Sequence, residues 1–70
     1  MWPMNTIEAM TGRELKRWRK KHGLSQAALA LKLGVIRETV ARWEIGTRHI
    51  PSFLGLALKH LETELEEAKR

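Results

Sequence analysis

The sequence is poor in residues that could catalyse a reaction and rich in residues that could bind an anion. It contains no cysteine, aspartate or tyrosine, and its three histidines, His22, His49 and His60, fall on separate predicted segments. No histidine–glutamate pair has the spacing of a zinc site, and no glycine-rich loop follows a strand. We therefore expect neither an enzyme nor a protein that holds a metal or another cofactor.

The basic residues are concentrated in the first part of the chain. Residues 1–50 carry ten Lys and Arg against four Glu, a net charge of +6, whereas residues 51–70 carry three against four, a net charge of −1. This asymmetry favours a protein that binds a polyanion through residues 1–50 and is nearly neutral over residues 51–70. Charge alone does not distinguish a nucleic-acid-binding protein from a soluble protein that is merely basic. The helices that hold these side chains must be considered to separate the two.

The length of 70 residues allows one small domain with a small core. Without cysteine, its stability must come from well-packed helices or from association. No apolar run approaches the ~20 residues that span a bilayer, and the first residues lack the pattern of a secretory signal. We expect a cytoplasmic protein with no membrane partner.

Local signals predict the first two helices. Thr11 and Glu14 have the spacing of a capping box that begins a helix, and Gly23 is suited to end it. Ser25 then caps a second helix rich in Ala and Leu, which Gly34 ends.

Two further helices complete the predicted fold. The third covers about residues 37–44, and the fourth covers residues 52–67, with Pro51 suited to its first turn. Residues 1–10 show no periodicity and are expected to form a flexible N-terminal arm. Without strand alternation, residues 11–70 predict an all-α bundle of four to five helices.

The join between helices two and three has specific steric demands. Two short helices joined by three or four residues cross at roughly 90–120°. The residue under the crossing must be small, which Ala30 is, and Gly34 allows a left-handed turn. The β-branched Val40 can fill the angle between the two helices, and Trp43 completes the apolar seam. The spacing of these residues therefore predicts a helix-turn-helix unit over residues 26–43.

These residues carry a resemblance to a known family. The stretch LSQAALALKLGVIRETVARWEIGTRHIP resembles the helix-turn-helix core of the Cro/repressor (Xre-type) family, over about residues 12–62. The shared features are Leu24-Ser25-Gln26, Ala30, Gly34-Val35, Thr39-Val40 and Trp43-Glu44 followed by Gly46. The resemblance implies a lambda-repressor-like domain that regulates transcription in a prokaryotic cell or phage-infected host. Such a protein, most often a repressor, binds an inverted repeat of double-stranded DNA as a homodimer.

The resemblance assigns base contacts to the third helix, which enters the major groove: Ile36, Arg37, Glu38 and Arg42. Arginine can donate two hydrogen bonds to guanine O6 and N7, and glutamate can accept one from cytosine N4. Glu38 has an alternative role, because a carboxylate near a helix N-terminus is stabilised by the helix dipole without DNA.

Ile36 departs from the family pattern, in which a serine or threonine often caps the recognition helix at this position. An isoleucine cannot cap, and a missing cap costs about 0.5–2 kcal/mol. Two roles are open for Ile36. It could touch a thymine methyl group, or it could pack on the core as a hydrophobic staple.

The resemblance implies two further sets of contacts. Four side chains are expected at DNA phosphates: Gln26, Thr39, Thr47 and Arg48. Gln26 lies at the N-terminus of helix two, where backbone amides also face an anion. Arg19 and Glu44 occupy positions that similar proteins pair in a partly buried salt bridge between helices one and three.

The fourth helix carries a leucine stripe whose first part is expected to cover the core, widened by Phe53 and Leu56. Its later leucines keep a narrow seam that nothing in the monomer is expected to meet, so we expect a dimer there. That seam consists of Leu58, Leu61 and Leu65. The alternative is a frayed amphipathic tail.

Two other functions stay open at this point. One is an antitoxin or accessory regulator of a mobile element, which would also bind a partner protein. The other is a helical protein-interaction adaptor without DNA binding, against which Arg37, Arg42 and the uneven charge argue. Stacking of single-stranded nucleic acid on Trp18 and Trp43 is disfavoured, because both fall on apolar stripes.

Overall fold

The computed structural model describes residues 10–68, and all regular secondary structure in this range is α-helical. The helices are α1 (Gly12–Lys21), α2 (Gln26–Leu33), α3 (Arg37–Ile45) and α4 (Leu54–Ala68). The all-α prediction with four helices is confirmed. The expected flexible arm falls, apart from Met10, on residues 1–9, which lie outside the described range. No helix in the described range is long and apolar enough to cross a membrane.

The ends of α1 and α2 follow their local signals. Thr11 Oγ1 accepts a hydrogen bond from the Glu14 amide at 3.1 Å, and Glu14 Oε1 accepts one from the Thr11 amide at 3.0 Å. Ser25 Oγ accepts one from the Ala28 amide at 3.0 Å. Gly34 ends α2 at φ +78°, in the left-handed region that glycine tolerates. The predicted capping box and glycine turn are therefore confirmed.

The start of α4 differs from the prediction. The helix begins at Leu54, and Pro51 lies in a preceding turn, where its carbonyl accepts a hydrogen bond from the Leu54 amide at 3.0 Å. Ile50 and Leu54 are both buried on either side of this turn. The expected range of residues 52–67 therefore begins two residues before the helix of the structure does.

The core is a single cluster to which every helix contributes. Its buried apolar residues are Leu15, Trp18, Leu29, Ala30, Val40, Trp43, Ile50, Leu54, Leu58 and Leu61. Both tryptophans expected on the apolar stripes belong to it, so their side chains cannot stack on a nucleic acid base.

The expected dimer seam is mostly part of this core. Leu58 and Leu61 are 0 % and 7 % exposed within one chain, and Leu65 packs partly buried against the cluster. The assignment of Leu58 and Leu61 to a dimer is therefore wrong. The reason is that α4 continues past the end of α1, where His22 Nε2 lies 3.1 Å from Glu62 Oε2.

Two other apolar residues of this region also differ from expectation. Phe53 and Leu56 do not widen the buried stripe but are 64 % and 74 % exposed. The buried stripe of α4 is narrow, because its fully buried residues are Leu54, Leu58 and Leu61, with Ala57 and Leu65 only partly buried beside them. A large apolar surface is thus left at the start of α4.

A close approach between α1 and α3 fixes how these helices pack. A Cβ atom built on Gly12 would lie 2.5 Å from the Trp43 carbonyl oxygen and closer still to that of Glu44. The first residue of α1 therefore lies directly on the backbone of the last turns of α3. Sequence reasoning had assigned no role to Gly12.

Candidate nucleic-acid interface

The crossing of α2 and α3 positions the surface on which the predicted site lies. Ala30 and Val40 are both buried, and the Val35 amide donates to the Ala30 carbonyl at 3.0 Å across the turn at Gly34. Trp43 is buried one turn after Val40. These contacts hold one side of α3 against the core, so its opposite side must face outward.

That outward side carries the charged residues of the helix. Arg37, Glu38 and Arg42 are all exposed, whereas Thr39 and Ala41 are half-buried at its edges. The structure thus brings three of the four expected base-contact residues onto one surface. Thr39 lies beside them, at the edge of the exposed face of the helix.

Ile36 is the fourth expected base-contact residue, and its exposure excludes one of its two open roles. The side chain is 65 % exposed, and it forms no cap hydrogen bond as the N-cap residue of α3. The core-staple alternative is therefore wrong. An exposed apolar side chain at the N-terminus of α3 is available for an apolar ligand group such as a methyl.

Arg19 and Glu44 form a bidentate ion pair beneath this surface. Arg19 Nε lies 2.7 Å from Glu44 Oε2, and Nη2 lies 3.1 Å from Oε1, with side-chain exposures of 10 % and 5 %. Arg19 Nη1 also donates to the Leu24 carbonyl at 3.0 Å. The pair joins α1 to the last turn of α3, and its parallel fork geometry is the strong form of this interaction.

The environment of Glu44 shifts its ionisation. Burial raises the pKa of the Glu44 carboxyl, but hydrogen bonds from Arg19 and Gln26 and the positive charges of Arg19 and Lys16 outweigh burial, so the net pKa is lowered. The carboxylate therefore stays ionised at neutral pH, although its side chain is almost inaccessible to water.

Gln26 has contacts that sequence reasoning missed. Its Nε2 donates to Glu44 Oε1 at 3.1 Å, and its Oε1 accepts from Arg37 Nη1 at 3.2 Å. The side chain that was expected at a phosphate thus already has partners inside the protein. Residues 26, 37 and 44 belong to two helices, and no local pattern signals that they meet.

The loop after α3 holds the remaining expected phosphate contacts. The Arg42 carbonyl accepts hydrogen bonds from the amides of Gly46, Thr47 and Arg48 at 2.9, 3.1 and 3.3 Å. The backbone of this turn is therefore fixed to the end of α3. The side chains of Thr47, Arg48 and His49 are exposed next to it.

Comparison with known protein families agrees with this geometry. Residues 15–54, more than half of the chain, match the helix-turn-helix family of the Cro/C1 (Xre-like) type. The chain belongs to this family. Comparison with curated proteins and with solved structures gave no match. Membership makes the chain a DNA-binding regulator of the Cro/C1 type, as the resemblance in its sequence implied.

The charges of this helix-turn-helix protein are segregated between its helices. The exposed basic residues of α1 are Arg13, Lys16, Arg17, Lys20 and Lys21. The second half of α4 instead carries four acidic residues, Glu62, Glu64, Glu66 and Glu67. A polyanion would therefore be attracted to α1 more strongly than to the second half of α4.

Proposed function

We propose that this Cro/C1-type protein is a transcriptional repressor that binds double-stranded DNA sequence-specifically with α3 in the major groove. The observation that carries the proposal is the exposed row of Arg37, Glu38 and Arg42 on a helix whose other side is buried. A helix fixed on a core can present such side chains to base edges at a constant angle. In this role the protein acts in the cytoplasm, where prokaryotic and phage DNA lie.

The proposed base contacts follow from the chemistry of the side chains. Arg37 and Arg42 donate to guanine O6 and N7, and Glu38 accepts from cytosine N4. Ile36 contacts a thymine methyl group, a role that its 65 % exposure supports. Each of these contacts would distinguish one base pair from the others.

The proposed phosphate contacts surround this row: Gln26, Thr39, Thr47 and Arg48. Arg48 is the strongest of them, because it is exposed, charged and held near the end of α3 by the turn on the Arg42 carbonyl. Contacts to phosphates orient the protein on the duplex without reading its sequence.

We also propose a homodimer that binds an inverted repeat. The exposed apolar side chains of Phe53, directly before α4, and Leu56, in its first turn, support self-association through this end of the helix. A second copy is the partner that a two-fold symmetric operator requires, and its recognition helix would lie about 34–36 Å away, one DNA turn apart.

The proposal is tested by selecting duplexes from a randomised 20-base-pair library with the parent protein. We expect enrichment of an inverted repeat, binding that weakens with salt, and reduced transcription from a promoter that contains the repeat. A protein that enriches no duplex is not a sequence-specific DNA-binding protein, and an adaptor would behave in this way.

Two paired variants provide a matched control for the readout surface. Removal of Arg37 and Arg42 by alanine should abolish preference for the selected repeat. Removal of Arg13 and Arg17, which are exposed on α1 and carry the same charge, should weaken binding to all duplexes but keep the preference. If both variants kept or both lost the preference for the selected repeat, the assignment of α3 as the base-reading helix would be contradicted.

A further inference from the structure

Ile45, the last residue of α3, is an apolar side chain on the charged side of that helix. It follows Glu38 by seven residues and Arg42 by three, and these spacings place residues on one face of an α-helix. The buried residues of α3, Val40 and Trp43, lie on the other face. The side chain of Ile45 is 73 % exposed. The row of side chains that we propose faces DNA therefore ends on an apolar residue.

Apolar side chains thus lie at both ends of this row. Ile36 is the N-cap residue of α3 and is 65 % exposed, and Ile45 is the last residue of the helix. The charged residues Arg37, Glu38 and Arg42 lie between them. A rise of 1.5 Å per residue separates the two isoleucines by about 13.5 Å along the helix axis. This distance corresponds to about four base-pair steps of 3.4 Å, so two apolar contacts fit within one half-site.

The major groove offers an apolar side chain one kind of partner. The base edges there carry nitrogen and oxygen atoms that form hydrogen bonds, and the apolar substituent among them is the methyl group on C5 of thymine. A methyl group on C5 of cytosine projects into the groove from the same ring position. Thymine and 5-methylcytosine therefore present the same group to Ile45, a pyrimidine 5-methyl.

The structure of the last turn of α3 suits Ile45 to such a contact. The Gly46 amide donates to the Arg42 carbonyl at 2.9 Å, so the helical turn that contains Ile45 is closed by a hydrogen bond. A β-branched side chain has few rotamers, so isoleucine loses less conformational freedom on burial than a lysine or an arginine does. Contact between its exposed surface and a methyl group removes both from water, which is favourable.

We propose that Ile45 contacts the 5-methyl group of a pyrimidine and makes base recognition by α3 depend on that methyl group. This inference rests on the proposed function and adds a second methyl-sensitive base pair to the one assigned to Ile36. The two base pairs lie no more than about four steps apart in each half-site. Methylation of a cytosine at the base pair contacted by Ile45 strengthens binding, so the protein responds to a covalent modification of its DNA.

The test removes one methyl group at a time from the selected duplex. Each thymine is replaced in turn by deoxyuridine, which lacks the methyl group but keeps the hydrogen-bonding groups of the base, and affinity is measured at constant salt. We expect the parent protein to lose affinity about four-fold per half-site at two positions, the factor that corresponds to ~0.8 kcal/mol for one buried methyl group. Ile45→Ala should lose this sensitivity at one position and keep it at the other, and Ile36→Ala should show the converse.

Leu31→Ala is the matched control. Leu31 is 83 % exposed and belongs to α2, outside the charged row of α3. Its replacement removes an exposed aliphatic side chain and should leave both methyl-sensitive positions unchanged. Circular dichroism and sedimentation establish that folded proteins of the same oligomeric state are compared.

A second measurement distinguishes the two sources of the methyl group. The thymine whose methyl effect is lost in Ile45→Ala is replaced, together with its adenine, by a base pair of guanine with either cytosine or 5-methylcytosine. The parent protein should bind the methylated duplex about four-fold more tightly per half-site, and Ile45→Ala should bind both duplexes equally. Comparison of the methylated duplex with the original duplex then identifies which of the two bases the parent protein prefers.

The outcomes separate this proposal from the one on which it rests. If the parent protein enriches no duplex, the proposed function fails and the methyl contact fails with it. If a duplex is enriched but no deoxyuridine substitution distinguishes Ile45→Ala from the parent protein, only the methyl contact is overturned. The same holds if Ile45→Ala weakens all duplexes equally, because Ile45 then contacts the sugar-phosphate backbone.

Discussion

Replacement of Gly12 by alanine tests the contact between α1 and α3 more directly than any other change. The added methyl group would overlap the carbonyl oxygens of Trp43 and Glu44, the former at 2.5 Å. Both obstacles are backbone atoms, so neither can rotate away as a side chain would. The two helices would have to separate by roughly the 1 Å that restores an ordinary carbon–oxygen contact.

The magnitude follows from two opposed terms. Alanine in place of glycine stabilises a helix by up to about 1 kcal/mol, while overpacking against a rigid neighbour costs about 1–3 kcal/mol or more. Separation of α1 from α3 would also strain the Arg19–Glu44 pair, which joins the same helices. We expect a net destabilisation of about 2 kcal/mol, which lowers the melting temperature by roughly 10 °C in a domain of this size.

Gly55→Ala is the matched control, because it makes the same chemical change in a helix with free space. A Cβ atom built on Gly55 has its nearest neighbour, Met10 Cε, at 4.0 Å. Only the helix-propensity term remains there, so this variant should melt a few degrees above the parent protein. Thermal unfolding followed by circular dichroism at one protein concentration measures both. A Gly12→Ala protein that melts at or above the parent temperature would refute the packing argument.

Four other predictions follow from the interface. Arg19→Met should cost about 3–5 kcal/mol of unfolding free energy in urea titrations, because it leaves the Glu44 carboxylate buried without its partner; a loss below 1 kcal/mol would speak against the pair. Because the folded pKa of Glu44 is lowered, its stabilisation is present at neutral pH and is lost as the pH falls through that folded pKa. Unfolding free energies measured between pH 6 and pH 3 should therefore decrease less in Glu44→Gln than in the parent. In DNA binding, Arg48→Ala should reduce the salt slope by about one per chain and weaken all sequences alike. Arg42→Ala should relax preference at one base position, and an unchanged preference profile would remove Arg42 from the readout.

The sequence determines the helix ends that depend on local hydrogen bonds. A threonine and a glutamate three residues apart can cap a helix wherever it lies in the fold, as Thr11 and Glu14 do. Gly34 likewise takes the left-handed conformation that other residues resist. Ala30 and Val40 also predicted the helix crossing from the sequence alone, because residue type fixes the size and branching of a side chain. These signals sufficed for the fold class and the family.

The sequence could not decide which surface the leucines of α4 would meet. A stripe repeated every three or four residues predicts an apolar face, but it is the same whether a second chain or the chain's own core covers it. Tertiary packing assigned Leu58 and Leu61 to the core and left Phe53 and Leu56 exposed. The start of α4 at Leu54 likewise lies later than Pro51 predicted, since residues 51–54 form a hydrogen-bonded turn before the helix.

Only the tertiary structure shows how the candidate site is organised. The charged residues of α3 could be predicted, because helical periodicity alone separates Arg37 and Arg42 from the buried side of the helix. The contacts of Gln26 could not, since they require α2 and α3 to cross at one particular angle and distance. A shift of about 1 Å would break hydrogen bonds of 3.1 and 3.2 Å. Such distances depend on how the whole core packs, which no local pattern in a sequence specifies.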